Sequence, residues 1–288
     1  MDKEITIDAS KWEFGNSVSC GLLFPYNLKL HGFKTHVCSR ILFPKEWTDI
    51  WYDEFGTKST THNGTTISLE RVNGRSSKSV LENLVFGSEA MRTFLPIPLP
   101  KIERKINDKY IVLIPTTEEK ALKNLHKLEL CLTFEGWMRV ADFIRSQGMK
   151  VVSFSCGESC TKEQADKIGD ISFYANGKDL KPNSFLKNQL EWMSNAETSV
   201  SLGGAFHVAY SFNVPGIGYD GQMVKNYSHI TRSYSSCRND IFILKSQHNL
   251  SLELGVFDYK NNPKKSNPFY LTYSNLIIEK IKEVLVSK

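Results

Sequence analysis

Cysteine is scarce in this sequence, and no apolar segment is long. The six cysteines stand at positions 20, 38, 131, 156, 160 and 237 without paired spacing. They exclude a disulfide-stapled scaffold and favour free thiols in a reducing compartment. No apolar run approaches the ~20 residues that span a bilayer, and the opening residues, MDKEITIDASKWEF, contain no apolar stretch typical of a secretory signal. We therefore expect a cytoplasmic protein without stable membrane insertion.

Several motifs of common catalysts are also missing. The sequence has neither a P-loop nor a G-x-S-x-G elbow, which argues against P-loop NTPases and hydrolases of the elbow type. Cys156 and Cys160 have no second cysteine pair and no histidine nearby. Because a zinc site needs four well-spaced ligands, we expect no metal site.

Charge of either sign is modest. The chain has 36 Lys and Arg against 31 Asp and Glu among 288 residues, a net charge of +5. The excess permits an anionic ligand such as a phosphate but does not by itself indicate a nucleic-acid binder. With 41% apolar and 23% charged residues, the composition is that of an ordinary globular protein of one large or two compact domains.

Short apolar runs alternate with segments of helical period, a pattern that predicts α/β layers with parallel sheets. We predict strands at residues 5–7, 35–38, 110–114, 150–154, 170–174, 197–202, 214–219 and 240–245, and helices at 17–31, 79–94, 132–147, 161–168, 184–195, 205–212 and 274–286. Residues 49–74 are polar, with a hairpin tip expected at 62–64.

A linker is predicted where three prolines alternate at positions 96, 98 and 100, because proline neither continues a helix nor sits in a central strand. The chain then divides into α/β domains at residues 1–100 and 106–288, and the closing helix at 274–286 could return to the first domain. Ligands of such sheets bind at the carboxyl ends of the strands, here also in the cleft between domains.

The most informative segment covers residues 199–219, SVSLGGAFHVAYSFNVPGIGY. A strand runs into Gly203 and Gly204, and a short helix follows, with His207 one turn in. Glycines at a helix start allow a close ligand approach, and the free amides there favour a phosphate. The alternative is a tight strand–helix turn with a packed histidine.

This segment resembles the donor-binding turn of the heptosyltransferase family, sugar transferases with the two-domain B-type fold. The matching residues are Gly204, His207, Val208, Ala209 and the turn at 213–215, and the similarity covers about residues 110–245. One departure is Leu202, where the family usually has Asp. The resemblance implies two Rossmann-like α/β domains whose parallel sheets face a cleft. It also implies a donor site that includes Gly203, Gly204, Ala205, Phe206 and His207.

Two further strand ends fit the same family. After the strand at 110–114, the family places a Thr/Ser pair and a Lys on the donor diphosphate, which here implies Thr116, Thr117 and Lys120, with Lys123 as a rival. The alternative is a helix N-terminus capped by threonine. After the strand at 150–154, Glu158 stands where the family has an acidic residue that meets the donor ribose.

The catalytic base is expected in the first domain. Inverting sugar transfer needs a carboxylate to take the proton of the acceptor hydroxyl. The family uses an Asp beside a Gly in the first loop, but Asn16 occupies that place and cannot act as a base. Glu13 is our preferred substitute and Asp8 the second candidate, although either could be a solvated loop charge.

The acceptor site is less marked. Arg71 and Arg75 form a local basic patch, and Arg232 follows the donor turn in a basic, aromatic stretch. Trp47 and Trp51 could stack on a sugar, but a half-buried helix face is the alternative that we favour.

These observations predict a glycosyltransferase that is inverting and metal-independent and has no cofactor besides a nucleotide-diphosphate sugar as co-substrate. The acceptor would be a glycan or, as in phage DNA glycosyltransferases of the same architecture, a hydroxylated base in DNA. A non-catalytic nucleotide- or sugar-binding module and an epimerase-type enzyme are the alternatives.

Overall fold

The computed structural model describes residues 4–9, 24–30, 32–39, 43–56, 65–68, 97–117, 132–157, 159–176, 182–201, 209, 214–220, 241–245 and 267–287. Within these residues the chain forms two sheets whose paired strands all run parallel. The predicted α/β class with parallel sheets is therefore confirmed. No helix in these ranges is both long and apolar enough to cross a membrane.

The first sheet and its helices come from the amino-terminal third of the chain. Their bounds are β1 Glu4–Ala9, α1 Phe24–Leu30, β2 Lys34–Ser39, α2 Lys45–Trp51, β3 Glu54–Gly56 and β4 Thr65–Ser68. The strand order is β3-β2-β1-β4. The hairpin tip predicted at 62–64 lies outside the described residues, and the described strands on either side of it, β3 and β4, lie at opposite edges of the sheet. The helix predicted at 79–94 lies outside the described residues.

Six strands of the described residues form the second sheet. Its elements are β5 Tyr110–Ile114, α3 Phe134–Ser146, β6 Lys150–Cys156, α4 Lys162–Ile168, β7 Ile171–Ala175, α5 Pro182–Met193, β8 Ser199–Ser201, β9 Gly216–Asp220, β10 Ile241–Lys245 and α6 Asn267–Val286. The strand order is β10-β9-β8-β5-β6-β7. Counted from the first strand of this sheet, that is the 3-2-1-4-5-6 order of doubly wound nucleotide-binding folds.

Local sequence explains where several helices begin and end. Thr133 caps α3 by accepting a hydrogen bond from the Gly136 amide at 3.0 Å. Thr161 and Gln164 form a reciprocal capping box at the start of α4. Gly148, with a φ of 71°, ends the turn after α3, a conformation that costs glycine little.

Two apolar clusters cover the second sheet. One packs α3 and α6 against Ile111, Val151 and Val200, with Trp137 and Tyr273 fully buried. The main helix contacts of α6 are with α3. The other cluster includes Tyr110, Phe154 and Trp192 together with first-sheet residues, and Ile97 of the connecting segment belongs to it.

The connecting segment is held on both sides. The Trp51 indole Nε1 donates to the Pro98 carbonyl at 2.7 Å. The Asn195 side-chain Nδ2 donates to the Ile102 carbonyl at 3.3 Å, and Lys105 Nζ lies 3.2 Å from a carboxylate oxygen of Glu191. The described part of the proline-rich stretch, residues 97–100, contains neither helix nor strand, and the carbonyls of this segment accept hydrogen bonds from Trp51 of α2 and from Asn195, which follows α5.

Candidate functional site

A topological switch point lies between β5 and β8 in the second sheet. These two strands are neighbours, but the chain continues from β5 toward β6 on one side and from β8 toward β9 on the other. Since all the strands are parallel, their carboxyl ends meet at one edge, with Ile114 of β5 beside Ser201 of β8. Such a crevice is where open α/β sheets bind ligands.

The end of β5 presents two threonines in different environments. Thr116 is half-buried, and its carbonyl accepts hydrogen bonds from the Leu132 amide at 3.2 Å and the Trp137 indole at 2.9 Å. Thr117 is fully buried. Trp137 of α3 and Leu132 just before it thus fix the backbone of Thr116 at the switch point. Of the two threonines, only Thr116 is partly exposed.

The Thr117 hydroxyl is engaged inside the protein. It lies 3.3 Å from the Ser159 carbonyl and 3.2 Å from Oε1 of Gln164, while the Thr117 amide donates to the same Ser159 carbonyl at 2.7 Å. The sequence offered no signal for this arrangement, because a threonine after a strand reads equally as a cap or as a ligand contact.

The loop after β6 lies beside this edge. The amides of Ser159 and Cys160 both donate to the Cys156 carbonyl, at 2.8 and 3.1 Å, and the Gly157 amide donates to the Ala175 carbonyl at 3.0 Å. The Tyr174 hydroxyl donates to the Cys160 carbonyl at 3.3 Å, and burial raises the pKa of that phenol. Glu158, in the same loop, lies outside the described residues.

The glycine-rich segment follows β8 directly. Ser201 ends β8 at the switch point and is buried, and Ala209, also buried, is helical. The Val214 amide donates to the Ala209 carbonyl at 2.8 Å, which leads the chain back toward β9. The predicted donor residues of this segment and of the loop after β5 lie outside the described residues: Lys120, Gly203, Gly204, Ala205, Phe206 and His207.

One further glycine pattern does not belong to the site. Residues 216–221 read G-I-G-Y-D-G, the spacing of a dinucleotide-binding fingerprint. That fingerprint requires glycines in the turn between a strand and a helix. Gly216 and Gly218 lie inside β9, so the pattern has the wrong structural context.

The first sheet has its own switch point, between β1 and β4. Asp8 lies there, half-buried, in register with Cys38 of β2 and Ser68 of β4. The other residues predicted for the base and the acceptor site lie outside the described residues: Glu13, Asn16, Arg71, Arg75 and Arg232. The sheet therefore places one predicted carboxylate, Asp8, near the carboxyl end of β1 at the first switch point.

The tryptophans of α2 belong to the core. Trp47 is 5% exposed and Trp51 is 0% exposed, and their rings lie 6.1 Å apart within the apolar cluster. The interpretation as a packed helix face is confirmed, and a sugar-stacking role for these two rings is excluded by their burial.

No protein-family model and no curated protein sequence matches the chain. Its fold, however, is similar to that of solved bacterial enzymes. A family 9 glycosyl transferase from Veillonella parvula DSM 2008 matches with a TM-score of 0.60 and 12% identity, covering 100% of this chain and 99% of that chain. E. coli ADP-heptose lipopolysaccharide heptosyltransferase II matches with a TM-score of 0.50 and 11% identity, covering 99% of each.

The shared architecture is the B-type glycosyltransferase fold, and at these identities the comparison concerns the fold alone. The likeness to heptosyltransferases, which the sequence suggested for residues 110–245, is confirmed at this level.

Proposed function

We propose that the protein is a glycosyltransferase that moves a sugar from a nucleotide-diphosphate sugar to an acceptor hydroxyl. One observation carries the proposal. The carboxyl end of β5, with Thr116, lies beside that of β8, which leads into the glycine-rich segment at 203–207. The fold supports it, since E. coli heptosyltransferase II, which matches this fold, is named for an ADP-sugar substrate.

The donor diphosphate would lie at the second switch point. The Thr116 hydroxyl and the amides of residues 203–207 would donate to phosphate oxygens, while Lys120 and His207 supply a positive charge and a further donor. Lys123 is the rival of Lys120. Glu158 would accept a hydrogen bond from the ribose. These groups would stabilise the leaving diphosphate without a metal or another cofactor.

The transfer itself would be a single displacement with inversion. The acceptor oxygen attacks the anomeric carbon, its proton passes to a carboxylate, and the bond to the diphosphate oxygen breaks with its electron pair on the leaving group. Glu13, which follows the carboxyl end of β1, is our preferred base, and Asp8 at the switch point is the second candidate.

The acceptor would bind to the first domain, residues 1–100, and the donor to residues 106–288. Arg71, Arg75 and Arg232 are the cations that we assign to acceptor binding. The acceptor is a glycan hydroxyl or the hydroxyl of a modified base in DNA. Strong weakening of acceptor binding by salt would indicate DNA, because phosphate contacts release counterions.

Donor binding is tested by isothermal titration with UDP-, ADP-, GDP- and CMP-sugars. We expect one of these to bind, and we expect Gly204→Trp to abolish binding because the new side chain would fill the phosphate approach. Gln147→Trp is the matched control: it adds the same bulk at an exposed position at the end of α3. Failure of every donor to bind, or binding that survives Gly204→Trp, would contradict the donor assignment.

The base is tested by Glu13→Gln and Asp8→Asn. Loss of a general base lowers kcat by about 10²- to 10⁴-fold, whereas donor affinity should stay within about twofold because the base acts on the acceptor. The measurement is initial-rate transfer with the donor found by titration. If both variants retain full turnover, neither carboxylate is the base.

A binding module without catalysis is the second candidate, and two residues favour it. Asn16 stands where the family has its catalytic Asp, and Leu202 stands where the family has another Asp. A protein that binds a nucleotide sugar but neither hydrolyses nor transfers it, with glycans and hydroxylated DNA offered as acceptors, would be such a module.

A further inference from the structure

Thr117 connects two loops at the carboxyl edge of the second sheet. Its amide donates to the Ser159 carbonyl at 2.7 Å, and its hydroxyl lies 3.3 Å from the same oxygen. Thr117 follows β5, whereas Ser159 follows β6. Thr117 therefore holds the end of β5 against the loop after β6, in which Glu158 precedes Ser159 in the sequence.

The far side of that loop is anchored through the same hydroxyl. Oε1 of Gln164 lies 3.2 Å from the Thr117 hydroxyl and accepts from the Thr161 amide at 3.0 Å. The Gln164 amide donates to the Thr161 hydroxyl at 3.1 Å, which completes the capping box of α4. Thr117 thus contacts the loop at Ser159 and the helix that ends the loop at Gln164.

The environment of Thr117 does not suit a phosphate ligand. The residue is 0% exposed, and its single hydroxyl hydrogen faces two protein acceptors, the Ser159 carbonyl and Gln164 Oε1. A phosphate oxygen also only accepts, so it would have to displace one of these partners. Thr116, one residue earlier, is half-buried and lies two residues after the end of β5.

We infer that Thr117 is a positioning residue, which holds the loop after β6, at Ser159, against the segment after β5 that contains Thr116. The inference rests on the proposed function, in which Glu158 meets the ribose and Thr116 meets the diphosphate. Its consequence is specific: loss of the Thr117 hydroxyl affects recognition of the ribose more than recognition of the phosphates.

Hydrogen exchange of the ligand-free protein tests the anchoring. Thr117→Val removes the hydroxyl at nearly constant volume but keeps the hydrogen bond from the backbone amide of residue 117 to the Ser159 carbonyl. We expect faster exchange in peptides covering residues 155–161, and Thr117→Ser should restore wild-type exchange. Unchanged exchange in Thr117→Val would overturn the inference, and this result does not depend on whether the protein binds a nucleotide.

Nucleotide discrimination tests the consequence. The probes are the nucleoside diphosphate that binds most tightly among UDP, ADP and GDP, and its 2′-deoxy counterpart. The readout is the dissociation constant of the 2′-deoxy nucleotide divided by that of the ribonucleotide. Loss of one hydrogen bond corresponds to about a three- to tenfold effect. We expect Thr117→Val to lower the ratio by that factor, toward the value for Glu158→Ala, and Thr117→Ser to retain the wild-type ratio.

Thr116→Val is the matched control for a phosphate contact, and it should weaken both nucleotides equally. If Thr117→Val also weakens both equally, Thr117 contacts the phosphates and the inference is wrong. An unchanged ratio in Thr117→Val or in Glu158→Ala would likewise contradict it. Absence of nucleotide binding by the wild type is a different result, because it defeats the proposed function on which the inference rests.

Discussion

At the scale of single residues, the most constrained ionisable group described in the first sheet is His36. The ring is buried, with Nε2 2.6 Å from a Glu4 oxygen and Nδ1 3.0 Å from a Glu54 oxygen. Lys34 lies 3.5 Å from the same Glu4 oxygen. The hydrogen bond from His36, with the charge of Lys34, holds the pKa of Glu4 below its ordinary value of 4.5.

This arrangement predicts how stability depends on acid. Because the folded-state pKa of Glu4 is depressed, its contribution is present above 4.5 and is lost as the pH falls through the folded value. We expect the free energy of unfolding in urea to decrease with acidification below that pH, and to decrease less steeply in Glu4→Gln. Glu103→Gln, at an exposed position, should keep the wild-type slope. An identical slope in Glu4→Gln would contradict the assignment.

Residue roles were harder to predict from the sequence than residue positions. The sequence places Thr116 and Thr117 together at the end of a strand, and the structure agrees. It cannot separate their roles, because burial of the Thr117 hydroxyl depends on Ser159 and Gln164, more than 40 residues away. Trp51 was easier to assign, since its spacing from Trp47 on one helix face already favoured burial.

At the scale of elements, the two sheets share one kind of junction. In each, a helix ends in a turn that leads into the second strand of the sheet. In the first sheet, α1 ends before Gly32, whose φ is 83°, and the amide of Thr35 donates to Asp53 at 2.7 Å. Lys29 of α1 lies 3.6 Å from the other oxygen of Asp53. The Asp53 carboxylate thus links the end of α1, the strand β2 and the start of β3.

The second sheet repeats this junction with different residues. The turn after α3 contains Gly148, and the Val151 amide donates to Asp170 at 2.8 Å. Arg145 of α3 donates to the other Asp170 oxygen at 2.9 Å. The sequence shows no internal repeat, so this equivalence is visible only in three dimensions.

The junction predicts a measurable asymmetry between two carboxylates that share Arg145. Asp170→Asn should lower the free energy of unfolding by about 1–3 kcal/mol, because it disturbs a charge-assisted bond and a backbone partner together. Asp142→Asn removes a 3.1 Å contact to the same arginine from a side chain that is 66% exposed. Such a surface pair should change stability by at most about 0.5 kcal/mol.

Urea unfolding of both variants checks this prediction. Equal losses would mean that the pairing of Asp170 with the Val151 amide contributes nothing beyond a surface ion pair. The comparison is matched because both variants replace aspartate by asparagine beside one guanidinium group.

The sequence predicts elements well where the signal is local. The strand at Tyr110–Ile114 and the helix capped by Thr161 agree with their predicted positions. A turn-like tripeptide such as residues 62–64 says nothing about strand order. β4 pairs with β1, about 60 residues earlier, and no local signal specifies that pairing.

At the scale of the whole molecule, two parallel sheets follow one plan. Both have the order 3-2-1-4 for their first four strands, and the second continues it with two more. Each plan creates a switch point, with Asp8 at one and Thr116 at the other. We propose that the second switch point binds the donor and that the first holds the base and the acceptor.

Of these two assignments, the binding of a nucleotide-sugar diphosphate at the second switch point matters most for the proposed function. A crystal structure of the protein with the nucleoside diphosphate found by titration tests it most directly. We expect the diphosphate to lie between the Thr116 hydroxyl and the amides of residues 203–207, with the ribose toward the loop after β6. A diphosphate bound elsewhere, or a nucleotide whose phosphates contact neither Thr116 nor residues 203–207, would contradict it.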